Sequence, residues 1–297
     1  MNLIPPKRPE DLSLPWCIDN LPNLRDYLTR ARALANMNAL VTNAGVTLRY
    51  PVKFGEVNAL IDFERAEIEA GIPTDGLEGW WQLQDGTGIS AIDSSGNGLT
   101  ATLLASGGPV PTWSTGHLGT DGAVQFSNAH WNWVETPSIT TSGNTTMAGW
   151  MSCTWAGVAN QVPTIFAQGF GGAIGPKLFS AGFTLGDWLI GDVVGCGDGY
   201  NSGRAPRVIG IPGSLTANSW HHLAAVLGTT QSKIYLDGVL VASTRVSTTG
   251  TIPSLTAAAS MGCQPFQLDV GNCKVSQVML YSRELSASEV GRIYANT

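Results

Sequence analysis

An Asp-Gly pair at 237–238 stands between two apolar-alternating runs, Ser232–Leu236 and Val239–Ser243. A two-residue reversal needs positive φ at its centre, which Asp and Gly tolerate, so this is the sharpest hairpin signal in the chain. An earlier run, Trp220–Leu227, leads into it across Gly228-Thr229-Thr230-Gln231. From Leu77 onward the same pattern repeats. Short runs rich in Val, Ile, Thr, Trp and Tyr are broken every 8–12 residues by Gly, Asn, Asp and Ser clusters. That spacing predicts an all-β sandwich. The last element, Leu285–Tyr294, is expected to be a short helix, with Ser286 and Glu289 forming a capping box.

The chain before Leu77 has a different make-up. Only 13% of the 297 residues are charged, against roughly 25% in an average soluble chain. Yet residues 1–78 hold eight of the 16 Lys and Arg and 11 of the 22 Asp and Glu. The remaining 219 residues carry 19 charges and nine of the ten Trp. So sharp a shift marks a boundary near Asp75–Gly79. Residues 1–20 contain Pro5, Pro6, Pro9 and Pro15, which exclude a helix and predict an extended arm. Over residues 21–76 the pattern turns helical. Leu21, Leu24, Leu28, Ala31, Ala35 and Asn38 follow steps of three and four along one seam. Val57, Leu60, Ile61 and Ile68 line a second helix that ends at Gly71-Ile72-Pro73. Helices this short are marginal alone in water. The segment is therefore expected to attach to a larger surface or to copies of itself, a trimer ahead of a dimer. Residues 77–297 are left for the sandwich.

A net charge of −6 gives no general attraction to nucleic acid or to an anionic membrane. No run of about 18 apolar residues is present to span a bilayer. The N-terminus lacks the apolar stretch of a secretory leader, from which assembly in the cytoplasm is expected. The five cysteines, Cys17, Cys153, Cys196, Cys263 and Cys273, show no C-x-x-C spacing, so neither a metal ribbon nor a redox motif is expected. Free thiols and a Cys263–Cys273 pair both stay open.

Four segments, Ile92–Gly98, Gly122–Phe126, Trp220–Gly238 and Val278–Ser286, carry a resemblance. In order and spacing they resemble laminin G-like domains of the concanavalin A-like lectin/glucanase superfamily, over roughly residues 78–294. The resemblance implies a jelly-roll sandwich of two curved antiparallel sheets, whose members bind glycans, bind proteins or serve as structural parts. Fold alone does not choose among these. It also raises calcium. Many such domains place an acidic pair before the final strand, and here the matching positions are Ser276 and Gln277. That departure removes a charged ligand. Asp93, in the oxygen-rich run Asp93–Gly98, is then the candidate Ca²⁺ ligand. An Asx-turn accounts for the same residues without metal.

Hydrolysis of glycosides needs two carboxylates flanking one bond. Between Gly79 and Arg283 the only Glu is Glu135, and no E-x-D-x-x-E run occurs. No G-x-S-x-G elbow is present either. His221 and His222 are adjacent, so on a strand they point to opposite faces and cannot share a site. His117 and His130 stand isolated, without ligand spacing. No catalytic residue is assigned. The tryptophans offer stacking surfaces for sugars: Trp131 and Trp133 alternate around Asn132 and so face one way, while Trp188 and Tyr200 fall in Gly-rich loop sequence. Trp150, Trp155 and Trp220 read as core.

The expectation is a non-enzymatic structural or recognition protein. An arm and short helices ahead of an outward sandwich suit a phage virion protein: a capsid decoration, head fibre or tail appendage. Its partners would be other virion proteins at the arm and a glycan at the sandwich. A bacterial cell-surface carbohydrate-binding or adhesion module is the alternative, and a glycoside hydrolase ranks third.

Overall fold

The computed structural model describes residues 71–127, 130–141, 144–153, 164–168, 177–182, 192–197, 208–209, 218–228, 231–245, 254–262 and 272–297. The arm at 1–20 and nearly all of the helical segment at 21–76 lie outside the described residues. The strands begin with β1 (Leu77–Trp81), β2 (Ser90–Ala91), β3 (Ala101–Ser106), β4 (Thr112–Thr115), β5 (Gly122–Phe126) and β6 (Trp131–Glu135). Then come β7 (Ile139–Thr141), β8 (Thr145–Cys153), β9 (Thr164–Gln168), β10 (Lys177–Gly182), β11 (Asp192–Gly197) and β12 (Val208–Ile209). The chain continues through β13 (Trp220–Leu227), β14 (Gln231–Leu236), β15 (Val239–Arg245), β16 (Leu255–Ala257), β17 (Ala259–Gly262) and β18 (Cys273–Tyr281).

Two eight-stranded sheets result. One runs β15-β14-β13-β8-β18-β5-β4, with β1 also paired to β18; the other runs β12-β11-β10-β9-β17-β6-β3-β2. A ribbon of β7 and β16 accompanies them. The inner faces meet in one apolar core, in which Trp81, Phe126, Phe166, Met147, Leu223 and Leu280 are fully buried. Each such side chain contributes about 1.5–3 kcal/mol over leaving it in water. The all-β sandwich expected from the spacing of short runs is the observed architecture. Helix α1 (Ala287–Asn296) follows Ser286 and carries Glu289 in its first turn, paired with Arg292 at 3.8 Å.

The Asp-Gly hairpin shows how a turn residue fixes strand pairing. Asp237 and Gly238 adopt φ of 49° and 79° between β14 and β15. The Asp237 carboxylate then reaches the third strand. Its Oδ1 accepts the His222 backbone N–H at 2.9 Å, and its Oδ2 lies 2.9 Å from His221 Nδ1. His222 O in turn accepts the Asp237 N–H at 2.8 Å. One Asp thus ties the turn of β14–β15 to the start of β13.

Two close approaches hold the sheets together. Trp81 donates its indole N–H to Leu99 O at 2.7 Å and stacks on Phe166, with centroids 6.4 Å apart. Gly262, at the end of β17 with φ of 91°, lies against the Phe126 ring, where a Cβ would come within 2.2 Å of two ring carbons. Only a glycine fits there.

In place of the Cys263–Cys273 option, the residue opposite Cys273 is Cys153, in direct register between β18 and β8. Both are buried free thiols; Cys263 lies outside the described residues. Burial, and then the neighbouring Cys273 sulfur, push the Cys153 thiol well above its usual range. The ribbon is pegged by a buried amide. Gln168 donates from Nε2 to Ile139 O on β7 (2.6 Å) and to Leu255 O and Ala257 O on β16 (3.3 and 3.2 Å), and accepts from Thr141 Oγ1.

Candidate functional site

Strand β6 reads Trp-Asn-Trp-Val-Glu, and strand geometry sends alternate residues to opposite faces. Val134 enters the core, opposite Leu103 of β3 and Met261 of β17. Asn132 points inward too. Its Oδ1 accepts from Ser127 N and its Nδ2 donates to Pro109 O, both at 3.3 Å, so it anchors the segments before β6. Trp131, Trp133 and Glu135 share the outer face. Trp131 is 44% exposed, a large indole surface turned to solvent. Trp133 is half-buried and donates its Nε1–H to Glu135 Oε2 at 3.1 Å.

Across the ladder to β3, Ser106 pairs with Trp131, Leu104 with Trp133 and Thr102 with Glu135. The resulting platform is apolar and aromatic at one end and carries an oriented carboxylate at the other. Among the described residues of β2, β3, β6 and β17, Glu135 is the only charged side chain. A lone carboxylate there does not supply the acid–base pair that glycoside hydrolysis uses. The one-sided orientation of Trp131 and Trp133 follows the alternation read from sequence. The same period of two, W-x-W-x-E, extends this face to Glu135, which the tryptophans alone do not indicate. Trp188 and Tyr200 lie outside the described residues.

Asp93 sits in a different place, where β1 meets the loop before β3. Its Oδ1 accepts the N–H groups of Trp80 (3.0 Å) and Ser95 (2.9 Å). Its Oδ2 accepts Ser95 Oγ–H and Leu99 N–H, both at 2.9 Å. Burial alone would raise this carboxyl; the hydrogen bonds from Trp80, Leu99 and Ser95 outweigh it and hold the group below its usual value. Each oxygen already serves two protein donors. This geometry favours the Asx-turn over the calcium ligand at Asp93. The second calcium position is likewise engaged: Gln277 lies at a bulge of β18 with φ of 53°, and its Oε1 accepts the Trp80 indole N–H at 3.0 Å. No three His, Cys, Asp or Glu gather into a metal-holding group among the described residues.

The histidines are more connected than the sequence indicated. His117 stacks on Trp150 with centroids 4.0 Å apart and meets the edge of Trp220. Its Nδ1 lies 2.9 Å from Asp121 Oδ2, and its Nε2 lies 2.6 Å from Thr297 O. Trp150 also meets His222 edge-on at 5.4 Å. Trp150 and Trp220, read from sequence as core, are only half-buried and join this His–Trp cluster. His221 and His222 take opposite sides as adjacent strand residues must.

His222 is fully buried, and burial pushes its pKa down to about 4, with His117 adding to the shift and Asp237 opposing it. In the unfolded chain the ring titrates near 6.5. Between these values the unfolded state binds the extra proton, so stability is intact above about pH 6.5 and drains as pH falls toward 4. Urea unfolding at pH 5 should give a folding free energy about 2 kcal/mol below that at pH 7. His222→Phe should flatten that slope. A wild-type midpoint independent of pH over this range would show that the ring is not held neutral.

The two antiparallel sheets, their common core and a jelly-roll order of strands define a lectin-like sandwich. The chain belongs to the concanavalin A-like lectin/glucanases superfamily, whose laminin G-type family model matches residues 118–291. No protein of curated function matches it in sequence. Among solved structures it is similar to domain 4 of AbnA, a GH43 extracellular arabinanase from Geobacillus stearothermophilus, in complex with arabinotriose. That likeness has a TM-score of 0.55 and 15% identity, and covers 73% of this chain and 98% of the other. It is also similar to the binding domain of Paraclostridial Mosquitocidal Protein 1, at TM-score 0.55 and 14% identity, over 74% of this chain and 52% of that one. The ligand binding domain of botulinum neurotoxin serotype D, in complex with N-acetylneuraminic acid, matches at TM-score 0.55 and 14% identity, over 77% and 52%. The chain thus spans about half the length of the toxin domains it matches. At these identities the likeness establishes fold.

Proposed function

We propose that the sandwich is a non-catalytic carbohydrate-binding domain whose sugar platform is the outer face of β3 and β6. The observation that carries this reading is Trp131, 44% exposed, on the same strand face as Trp133 and Glu135. An exposed indole beside a fixed hydrogen-bond acceptor suits a saccharide, which presents an apolar ring face and hydroxyl edges. Support comes from a structural neighbour solved with arabinotriose. Trp131→Ala should lower glycan affinity about tenfold or more, with the unfolding midpoint unchanged, by titration calorimetry on the glycan selected from an array. Unaltered affinity would remove the platform from the site.

For the setting of this domain we infer display on a phage particle, as a decoration, head-fibre or tail-appendage protein. The compositional break near Asp75–Gly79 supports it, since a more highly charged segment precedes a charge-poor one. Residues 1–20 and 21–76 would attach to other virion proteins and assemble a trimer. Imaging particles that lack the gene tests this; unchanged mass and surface would overturn it. Attachment to a bacterial cell surface is the second reading, favoured by the likeness to a domain of an extracellular arabinanase.

A further inference from the structure

We infer that Glu135 restricts the platform to uncharged oligosaccharides and turns acidic glycans away. The inference rests on the carbohydrate reading and adds the ligand class. Glu135 is held, not free: Trp133 Nε1–H fixes Oε2 at 3.1 Å, and Oε1 remains as a further acceptor on a half-buried side chain. A carboxylate accepts hydrogen bonds only, so its complement is a donor, and a sugar hydroxyl supplies one. Charge-assisted bonds of this kind are stronger than neutral ones. The described ladder partners on this face are uncharged: Thr102, Leu104 and Ser106 on β3, and the buried Ser260 on β17.

No cation among the described residues of these strands offsets the charge. A sialic or uronic carboxylate brought beside Glu135 would meet like charge without a counter-ion, which costs affinity rather than adding it. Length sharpens the class further. Trp131 and Glu135 are four strand residues apart, about 13 Å at the usual rise. A single ring cannot span that distance, whereas a short oligosaccharide can stack on Trp131 while donating a hydroxyl to Glu135. Neutrality and chain length are thus both set by one strand.

The test uses the full chain on an array of neutral tri- and tetrasaccharides printed beside their sialylated and glucuronylated counterparts, with calorimetry on the best pair. The wild type should bind neutral glycans at least about tenfold more tightly than their acidic counterparts. Glu135→Gln keeps the acceptor for Trp133 and removes the charge. It should weaken neutral binding about fivefold and bring the acidic counterparts within about threefold of it. Wild-type binding of acidic glycans as tight as neutral ones would overturn this inference and leave the carbohydrate reading standing. So would a Glu135→Gln protein with unchanged selectivity. Wild-type protein that binds no glycan of either class would overturn the carbohydrate reading and this inference with it.

Discussion

Gly262→Ala should cost the sandwich about 4 kcal/mol. Two costs add at this position. A φ of 91° strains any residue with a Cβ, by about 1–2 kcal/mol. The new methyl would also sit 2.2 Å from the Phe126 ring, with no flexible end to yield; overpacking of that kind costs about 1–3 kcal/mol. Phe126 belongs to one sheet and Gly262 to the other, so relief requires the sheets to part. Urea unfolding measures the change directly. Gly262→Ala combined with Phe126→Leu should recover part of the loss, because the two positions share one contact. Gly291→Ala is the opposing control. Nothing lies within 4 Å of its Cβ position in the helix, and alanine there should stabilise by about 0.5–1 kcal/mol. A Gly262→Ala midpoint equal to wild type would mean that the sheets are not in contact there.

Asp93→Ala should cost about 3 kcal/mol, since four donors lose a charged acceptor at once and several lie away from water. The acid dependence distinguishes it from His222. The Asp93 carboxyl is held below its usual value, so the unfolded chain takes up its proton first. Its contribution is complete above about pH 4 and is lost below that, as pH falls through the folded pKa. The loss from His222 falls instead between about pH 6.5 and 4. Two acid steps are therefore expected, and Asp93→Ala should remove the lower one. The same variant decides the metal question. Chelation should leave the wild-type midpoint where it is. A midpoint that climbs with added calcium, and stops climbing in Asp93→Ala, would restore the calcium ligand.

The hairpin at Asp237-Gly238 and the turn at Asp93–Gly98 were legible because their signals are local. Asp and Gly have few other reasons to stand together between apolar runs. The positive φ of Gln277 left no such trace, since nothing in the residue type announces a bulge. Sequence puts Trp150 in the core because most Trp of a sandwich pack there; β8 is buried along nearly its whole length, so no alternation tells its faces apart. Its contact with His117 joins residues on different elements, which local pattern does not relate. Glu135 is the only glutamate between Gly79 and Arg283, where its residue type points to acid catalysis first. Its partnership with Trp131 and Trp133 appears once the strand period is carried two residues further.

The Gln168 peg makes the β7–β16 ribbon a dependent of the large sheet rather than a unit of its own. A single side chain on β9 supplies the N–H groups that reach carbonyls on both ribbon strands. Separation of β7 from β16 breaks their own ladder and one side of the Gln168 bridge, whereas separation of the ribbon from β9 breaks both sides of that bridge. Loss of the Gln168 peg therefore loosens both ribbon strands, and amide exchange in Ile139–Thr141 should keep pace with exchange in Leu255–Ala257.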